Sequence, residues 1–236
     1  MSEKLKSLGF AMLVALVCGL LLISAASGLN ARKQRNMAVD QKKNILSSVG
    51  LVTPDQRLPA DRIEALYDEN IRCYAMDGAG RIVPANTADT ALPVCFRVKE
   101  KKPAAYILPV DSKGLWGRIY GYIAIENDGK TVAGFSVYSH NETPGLGGEI
   151  EKPWFQEHFR GKKIVDASGS LVSVGIAKGR VADAVSKDRQ DTYVDGISGA
   201  TLTGSFLSAG LKGILTEYEP LSAQFRKGPV ALPETP

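Results

Sequence analysis

The sequence predicts an α+β domain joined to a single N-terminal transmembrane helix. Three features support this prediction: an uncharged apolar run near the N-terminus, two alternating apolar segments on either side of a turn, and a helical pattern close to the C-terminus. Helix-like and strand-like segments are mixed without regular β-α-β alternation, so we expect helices together with an antiparallel sheet.

The apolar run is Leu8–Ala26, within a stretch from 7 to 31 that carries no charged residue. About 20 apolar residues are enough for a helix to cross a bilayer. The small residues at 24–28 loosely resemble a signal-peptidase site, so a cleaved signal peptide is the alternative. Because the run exceeds the roughly 7–15 apolar residues of a signal peptide, we predict a retained membrane helix over residues 8–27.

The charges beside this helix do not determine its orientation. Lys4 and Lys6 precede it, whereas Arg32, Lys33 and Arg35 follow it. The positive-inside rule is therefore nearly balanced, and these charges leave open which side of the membrane holds the domain.

Charge, histidine and cysteine content exclude two classes of site. The formal net charge is only +4 and is evenly spread, which argues against a nucleic-acid-binding surface. Two histidines and no clustered cysteines exclude a zinc site with the usual ligand spacing. Outside the membrane helix the cysteines are Cys73 and Cys95, and either a disulfide or two core thiols would suit them.

The next elements along the chain are two helices and a hairpin. Residues 31–51 are typical of a weakly amphipathic helix that ends at Gly50, and residues 53–71 predict a second helix. Residues 73–85 predict a hairpin that turns at Asp77-Gly78.

The strongest strand pattern lies at residues 118–140, where two alternating runs flank Asn127-Asp128-Gly129, a sequence suited to a tight turn. Residues 171–179 predict another strand. A final helix is predicted over Thr203–Tyr218, and the proline-rich end at 226–236 is expected to be a loose tail.

One stretch before the final helix has the composition of a ligand site. Asp195–Gly204, DGISGATLTG, places Thr201 just before the helix, where free backbone N–H groups and the helix dipole favour an anion. Ser198 and Thr203 could donate to phosphate oxygens or cap the helix. On this stretch alone, an ordinary helix cap is the simpler interpretation.

A second stretch, HNETPGLGGEI at His140–Ile150, leaves the predicted hairpin and contains three glycines and a proline. Such a loop permits close contact with a flat ligand, although a long surface turn explains it equally well. His140 is expected to cap a turn. Trp116 and Tyr120 could flank a ligand ring or pack in the core, and Trp154-Phe155 predicts a short helix with core anchors.

Together the two motifs resemble those of a known family. D-G-I-S-G-A-T at Asp195–Thr201 resembles the flavinylation motif of FMN-binding domains in bacterial respiratory complexes, and E-T-P-G-L-G-G-E-I at Glu142–Ile150 resembles the companion loop. The similarity extends through residues 114–155 and to the single N-terminal helix. Nearly the whole chain resembles the C-subunit family of the Na⁺-translocating NADH:quinone oxidoreductases.

The resemblance implies roles for the positions that match. Thr201 matches the threonine that carries FMN through a phosphoester bond. The other positions of that motif match those read by the flavin transferase that installs FMN from FAD: Asp195, Ser198, Gly199 and Ala200. Four positions match the loop that borders the isoalloxazine ring: Glu142, Thr143, Leu146 and Gly147.

The resemblance also implies a place in a membrane complex. The flavin would pass electrons from an iron–sulfur centre to a flavin of a neighbouring membrane subunit and on to quinone, coupled to Na⁺ export. The chain is not expected to bind NADH itself, because no G-x-G-x-x-G follows a predicted strand. Expected partners are the other subunits, the flavin transferase and the bacterial inner membrane, with no nucleic acid.

The resemblance also implies that the main domain lies on the periplasmic side. With that orientation we predict a cytoplasmic N-terminus, the membrane helix, the N-terminal part of the periplasmic domain, the FMN-binding domain and a C-terminal tail. These regions are expected at residues 1–7, 8–27, 28–110, 111–220 and 221–236.

Two alternatives stay open. The related ferredoxin:NAD reductase complex has an equivalent flavoprotein subunit with both motifs, although GGEI and KPWF favour the sodium pump by resemblance. The other alternative is an anchored, non-enzymatic binding or assembly module in which SGAT only caps a helix, and such a module would carry no flavin.

Overall fold

The computed structural model describes residues 3–85 and 91–233, and the chain divides into two units. The N-terminal unit, through Asp40, contains the first part of helix α1 (Glu3–Ser48). Within α1, Glu3–Asn30 is long and apolar enough to cross a membrane. The predicted membrane helix therefore lies inside α1, which continues without a break through the helix predicted next. Residues 1–2 of the predicted N-terminus lie outside the described residues.

The second unit, from Gln41 onward, is built on a six-stranded antiparallel sheet with the spatial order β2-β1-β3-β4-β5-β6. Its strands are β1 (Ile71–Met76), β2 (Ile82–Val83), β3 (Leu92–Lys99), β4 (Lys102–Lys113), β5 (Arg118–Glu126) and β6 (Val132–Ser139). A short parallel pair, β7 (Gly175–Ile176) with β8 (Tyr193–Val194), forms a second sheet. The predicted α+β class is confirmed.

Both predicted hairpins form, and local hydrogen bonds explain their turns. Asp128 Oδ1 accepts the N–H groups of Lys130 and Thr131, each at 2.8 Å, while Gly129 adopts a φ of +65°. In the same way Asp77 Oδ1 accepts two backbone N–H groups at 2.9 Å in the turn between β1 and β2. An aspartate that bonds its own backbone fixes such turns without long-range contacts.

Helices cover both faces of the sheet. After α1 they are α2 (Ala60–Asn70), α3 (Pro153–Glu157), α4 (Val181–Ala184), α5 (Thr201–Glu217) and α6 (Glu219–Lys227). On one face of the sheet, the ring of Phe225 in α6 stacks on that of Tyr106 in β4, with ring centres 4.8 Å apart. On the opposite face, Ser136 Oγ of β6 donates to the carbonyl of Asn44, near the end of α1, at 3.0 Å. The sheet is therefore the middle of three layers.

The final predicted helix corresponds to α5, which begins two residues earlier than expected, at Thr201. Leu207, Leu211 and Leu215 are fully buried in it. Their spacing of four residues places them on one face, which packs toward the sheet.

Three further sequence predictions differ from the structure. Of the helix predicted at 53–71, only Ala60–Asn70 forms, as α2, and Ile71 begins β1. Of the strand predicted at 171–179, only Gly175–Ile176 forms a strand and Leu171 makes an isolated bridge to Val165, because the φ of +74° at Ser173 interrupts the extended path between them. The prediction of a loose tail at 226–236 is wrong for its described residues: Arg226 and Lys227 end α6, and Val230 and Leu232 pack against the core. Residues 234–236 of that tail lie outside the described residues.

The cysteine question resolves as a disulfide. Cys73 of β1 and Cys95 of β3 face each other in the strand register, with Cα atoms 4.0 Å apart, and their sulfurs are bonded. The bond joins residues 22 positions apart. It therefore reduces the number of conformations that the unfolded chain can adopt between β1 and β3.

We expect replacement of both cysteines by serine to lower the free energy of unfolding by about 3 kcal/mol, the typical effect of closing a loop of this size. Denaturant unfolding of the full chain in detergent, followed by tryptophan fluorescence, measures it. Cys18, a free cysteine in α1, supplies the control, since Cys18→Ser should leave the midpoint unchanged. Equal midpoints for the double variant and the parent would contradict the prediction.

Candidate functional site

The segment before α5 is held in a fixed, irregular path. Asp195 Oδ1 accepts the N–H of Val181 at 2.6 Å, at the start of α4. Gly196 has no room for a side chain, because a Cβ there would lie 2.1 Å from the carbonyl oxygen of Ala177. Gly199 then adopts a φ of +74°, which turns the chain into the first residue of α5.

The N-terminus of α5 is open to a ligand. Ala200 is the residue that precedes the helix, and no side chain among the described residues makes a capping hydrogen bond at that end. The backbone N–H groups of the first turn therefore point outward without an intrahelical partner. An anion at this position would gain both hydrogen bonds and a favourable interaction with the helix dipole.

The hydroxyl groups of this segment differ in accessibility. Thr201 and Ser198 are exposed. Thr203 is 1% exposed, and its Oγ1 donates to Glu142 Oε2 at 2.5 Å. Thr203 is therefore tied to the second motif, and the accessible hydroxyl groups are those of Thr201 and Ser198.

The loop after β6 lies directly against the start of α5. Glu142 is buried and Leu146 is 43% exposed. A Cβ added to Gly199 would lie 2.8 Å from Leu146 Cδ2, so the two motifs touch. Gly148 donates its N–H to the carbonyl of Thr143 at 2.9 Å and thereby closes the loop.

A third segment, the turn between β4 and β5, completes the site. Gly114 donates its N–H to the carbonyl of Gly117 at 2.7 Å. Inside this turn Trp116 donates its backbone N–H to Glu142 Oε1 at 2.9 Å. Its side chain is 68% exposed and that of Leu115 is 43% exposed. Trp116 therefore does not pack in the core.

The three segments enclose a cavity of about 370 Å³ beside Thr201. That volume lies within the range of small-molecule sites. The lining residues are Leu115, Trp116, Glu142, Thr143, Leu146, Gly147, Gly199, Ala200, Thr201, Leu202 and Thr203. The rim is apolar, and its Leu202 is 57% exposed. Such a cavity can take a flat ring against the rim and an anionic group at the helix start.

Eight of the ten residues predicted from sequence line this cavity, whereas Asp195 and Ser198 do not. The carboxylate of Asp195 instead holds the backbone at the start of α4. Sequence reasoning missed Leu115 and Leu202 and left Trp116 undecided. Leu202 could have been identified as an apolar residue in the first turn of a helix, where it would be exposed.

His140 has the expected turn-capping role. Its Nδ1 accepts the N–H of Glu142 at 3.1 Å, and its Nε2 lies 3.2 Å from Glu151 Oε2. A hydrogen bond from Lys152, together with that histidine, holds the pKa of the Glu151 carboxyl below its usual value. His140 thus fixes both ends of the loop and does not line the cavity.

The expectation for Trp154-Phe155 holds for one of the two aromatic residues. A short helix does form there, as α3, and Phe155 is fully buried. Trp154 is instead 44% exposed, and its Nε1 donates to Glu149 Oε2 at 3.1 Å. Only Phe155 therefore anchors this helix in the core.

Comparison with known proteins agrees with this geometry. Residues 114–216 match the family model described as the FMN-binding domain, and they contain all three segments of the cavity. The chain is 34% identical to the C subunit of the Na⁺-translocating NADH-quinone reductase of Yersinia pestis, over 94% of this chain and 93% of that protein. It is 31% identical to the same subunit of Pseudomonas aeruginosa, over 94% of this chain and 96% of that protein.

Two solved structures resemble the chain. The crystal structure of the C subunit of the Na⁺-translocating NADH-quinone reductase from Parabacteroides distasonis superposes with a TM-score of 0.69 at 30% identity, covering 82% of this chain and 96% of that one. Shewanella oneidensis NqrC shares the fold, with a TM-score of 0.66 at 19% identity, covering 84% of this chain and 100% of that one. With relatives above 30% identity along nearly its whole length, and with an FMN-binding domain around the cavity, the chain belongs to the C-subunit family of the Na⁺-translocating NADH-quinone reductases.

Proposed function

We propose that this protein carries FMN attached through a phosphoester bond to Thr201 and relays electrons within the reductase. The observation that carries the proposal is the position of the Thr201 hydroxyl. It is exposed at the first residue of α5 and lies on the wall of the cavity that the three segments enclose.

The residues present fit FMN. The uncapped first turn of α5 offers backbone N–H groups to the phosphate that the bond to Thr201 would place there. The exposed apolar side chains of Trp116, Leu146 and Leu202 offer a surface for the ring system. Large exposed apolar groups around a cavity are typical of a site that a ligand covers.

The two motifs pack closely against each other beside the cavity. Gly147 and Gly199 have no space for a Cβ, since neighbouring side chains of the two motifs lie against them. The absence of a side chain at both positions therefore lets the loop after β6 and the start of α5 approach each other closely beside the cavity.

When bound, FMN supplies the capacity to take up and release electrons singly or in pairs. The chain's own residues do the rest. The rim limits access of water to one side of the cavity, and the bond to Thr201 would keep the group from diffusing away. Thr201 is then an attachment point, so it needs no neighbouring base during turnover.

In the complex, we infer that electrons reach this site from an iron–sulfur centre and leave for a flavin of a membrane subunit, then quinone, with Na⁺ export coupled to the flow. The relatives' names, which describe subunits of a Na⁺-translocating NADH-quinone reductase, support this placement. The other subunits and a flavin transferase are the proposed partners. NADH oxidation is assigned to another subunit, since this sequence has no G-x-G-x-x-G after a strand.

Intact-mass measurement tests the attachment directly. The full chain, co-expressed with a flavin transferase, should gain the mass of one FMN less one water, and fragmentation should locate it on the peptide that contains Thr201. Protein expressed without the transferase should keep the unmodified mass. An unmodified mass under both conditions would contradict the proposal.

We further propose that the domain after α1 faces the periplasm. The Cys73–Cys95 disulfide supports this side, because disulfides persist in oxidising compartments. Protease added to spheroplasts should digest the domain, and a cytoplasmic marker protein should survive. Full protection of the domain, followed by digestion only after the membrane is permeabilised, would overturn the orientation.

A further inference from the structure

The carboxylate of Glu142 is the point at which the three segments of the site meet. Glu142 is 4% exposed, and both of its oxygens accept hydrogen bonds. Oε2 accepts from the hydroxyl of Thr203 at 2.5 Å, and Oε1 accepts from the backbone N–H of Trp116 at 2.9 Å. One side chain thus joins its own loop to the start of α5 and to the turn between β4 and β5.

The backbone closes tightly around this carboxylate. A Cβ on Gly114 would lie 2.6 Å from Glu142 Oε1, and a Cβ on Gly147 would lie 2.7 Å from Oε2. The backbone N–H of Glu142 is also held, since it donates to His140 Nδ1 at 3.1 Å. The side chain therefore has little room to adopt another rotamer.

Neither partner of the carboxylate is a cation. A buried carboxylate is costly unless its oxygens are satisfied, and here two neutral donors satisfy them. Loss of either donor would leave a buried oxygen unpaired, so the three segments are coupled through Glu142. The same residue lines the cavity, so its negative charge acts on whatever the cavity holds.

We propose that Glu142 is a positioning residue that assembles the cavity before the cofactor arrives, acting through Thr203 and Trp116, and that its charge makes the bound cofactor harder to reduce. The second half of the inference rests on the proposed function, since it requires a bound flavin. Its physical reason is that a nearby negative charge disfavours the addition of electrons to a flavin. The first half concerns this chain alone. In it, the buried hydroxyl of Thr203 donates to the carboxylate of Glu142 and does not bind the phosphate of FMN.

The test is a double-mutant cycle of Glu142→Met, which removes both oxygens at similar side-chain length, and Thr203→Val in the full chain. Denaturant unfolding of the flavin-free chain measures the coupling. We expect the double variant to unfold at the same denaturant midpoint as the more severe single variant, because one shared bond is lost in each. Thr203→Ser, which keeps the hydroxyl, should restore the parent midpoint. Strictly additive midpoint shifts would overturn the coupling, whatever the cofactor does.

Two measurements on protein co-expressed with a flavin transferase test the effect on the cofactor. In Glu142→Gln, the fraction of protein that gains FMN mass in a fixed time should fall roughly tenfold, as expected when hydrogen bonds to a charged carboxylate become weaker bonds to a neutral amide. The midpoint potential of the flavin that does attach should shift to a more positive value, which a purely structural role would not produce. Glu157→Gln, at an exposed glutamate paired with Arg160 at 3.6 Å, should match the parent in both.

Loading and potential equal to those of the parent in Glu142→Gln would refute the inference while leaving the attachment to Thr201 intact. A parent chain that never gains FMN mass would instead refute the proposed function. In that case the unfolding cycle still decides whether Glu142 couples the three segments.

Discussion

Thr201→Val should abolish covalent FMN while leaving the fold unchanged. Valine keeps the size and β-branching of threonine but lacks the oxygen that the phosphoester bond requires. Thr201 is exposed, and no side-chain bond caps its helix among the described residues. The free energy of unfolding should therefore change by no more than about 0.5 kcal/mol. In-gel flavin fluorescence and intact mass measure the attachment, and denaturant unfolding measures the fold.

The controls separate Thr201 from its neighbours. Ser198 is kept, because the flavin transferase is expected to read it; fragmentation of the parent protein should place FMN on Thr201 and not on Ser198. Thr216→Val makes the same threonine-to-valine substitution at an exposed position of α5, where the hydroxyl only donates to the Lys212 carbonyl at 2.7 Å, and should keep covalent FMN. All variants need co-expression with a flavin transferase. Flavin that survives on Thr201→Val, or that maps to Ser198, would show that the assignment to Thr201 is wrong.

In the assembled complex the same variant separates two activities. Quinone reduction should be lost, because the proposed relay would be broken at this subunit. Reduction of artificial acceptors by the NADH-oxidising subunit should continue, since that step precedes the relay. Loss of both activities would indicate a defect in assembly, and blue-native gels of the complex check for that defect.

Elements whose structure depends on local chemistry could be predicted from the sequence. The turn at Asn127-Asp128-Gly129 forms because Asp128 bonds its own backbone and Gly129 accepts a positive φ. Helix α5 follows from the spacing of its apolar residues, and the membrane helix follows from the length of its uncharged run. None of these needs a distant partner.

Elements that depend on distant packing were harder to predict. Strands β3 and β4 form the middle of the sheet, yet β4 contains Pro103 and Pro109, which normally argue against a central strand. Helix α6 begins with Pro220 in its first turn, a residue that suits a helix start as well as a loose tail. The choice is decided by Phe225, whose ring stacks on Tyr106 of the sheet.

The site shows the same division. The two motifs identify the loop and the helix start, and eight of the ten residues predicted there line one cavity. The pairing of Thr203 with Glu142 joins residues 61 positions apart, and Trp116 reaches the same carboxylate from a third segment. No pattern within a single stretch contains that information, because only the folded sheet brings β4, β6 and α5 together.

Gly147→Ala should disrupt the cavity without adding charge or removing a hydrogen-bonding group. The new Cβ would lie 2.6 Å from Thr203 Oγ1 and 2.7 Å from Glu142 Oε2, distances shorter than van der Waals contact. Both neighbours are buried and bonded to each other, so relief requires the loop to move away from α5. We expect the free energy of unfolding to fall by about 1–3 kcal/mol, the usual range for overpacking a close-packed site. FMN loading should fall as well, since the loop would no longer meet the helix start.

The matched control is Gly213→Ala, an exposed position inside α5 with nothing within 4 Å of the added Cβ. This variant should stabilise the chain by up to about 1 kcal/mol and load FMN normally. Denaturant unfolding and intact mass, measured on both variants, report the two effects. Normal loading of Gly147→Ala with parental stability would show that the loop and the start of α5 can separate without cost, and that their contact does not shape the site.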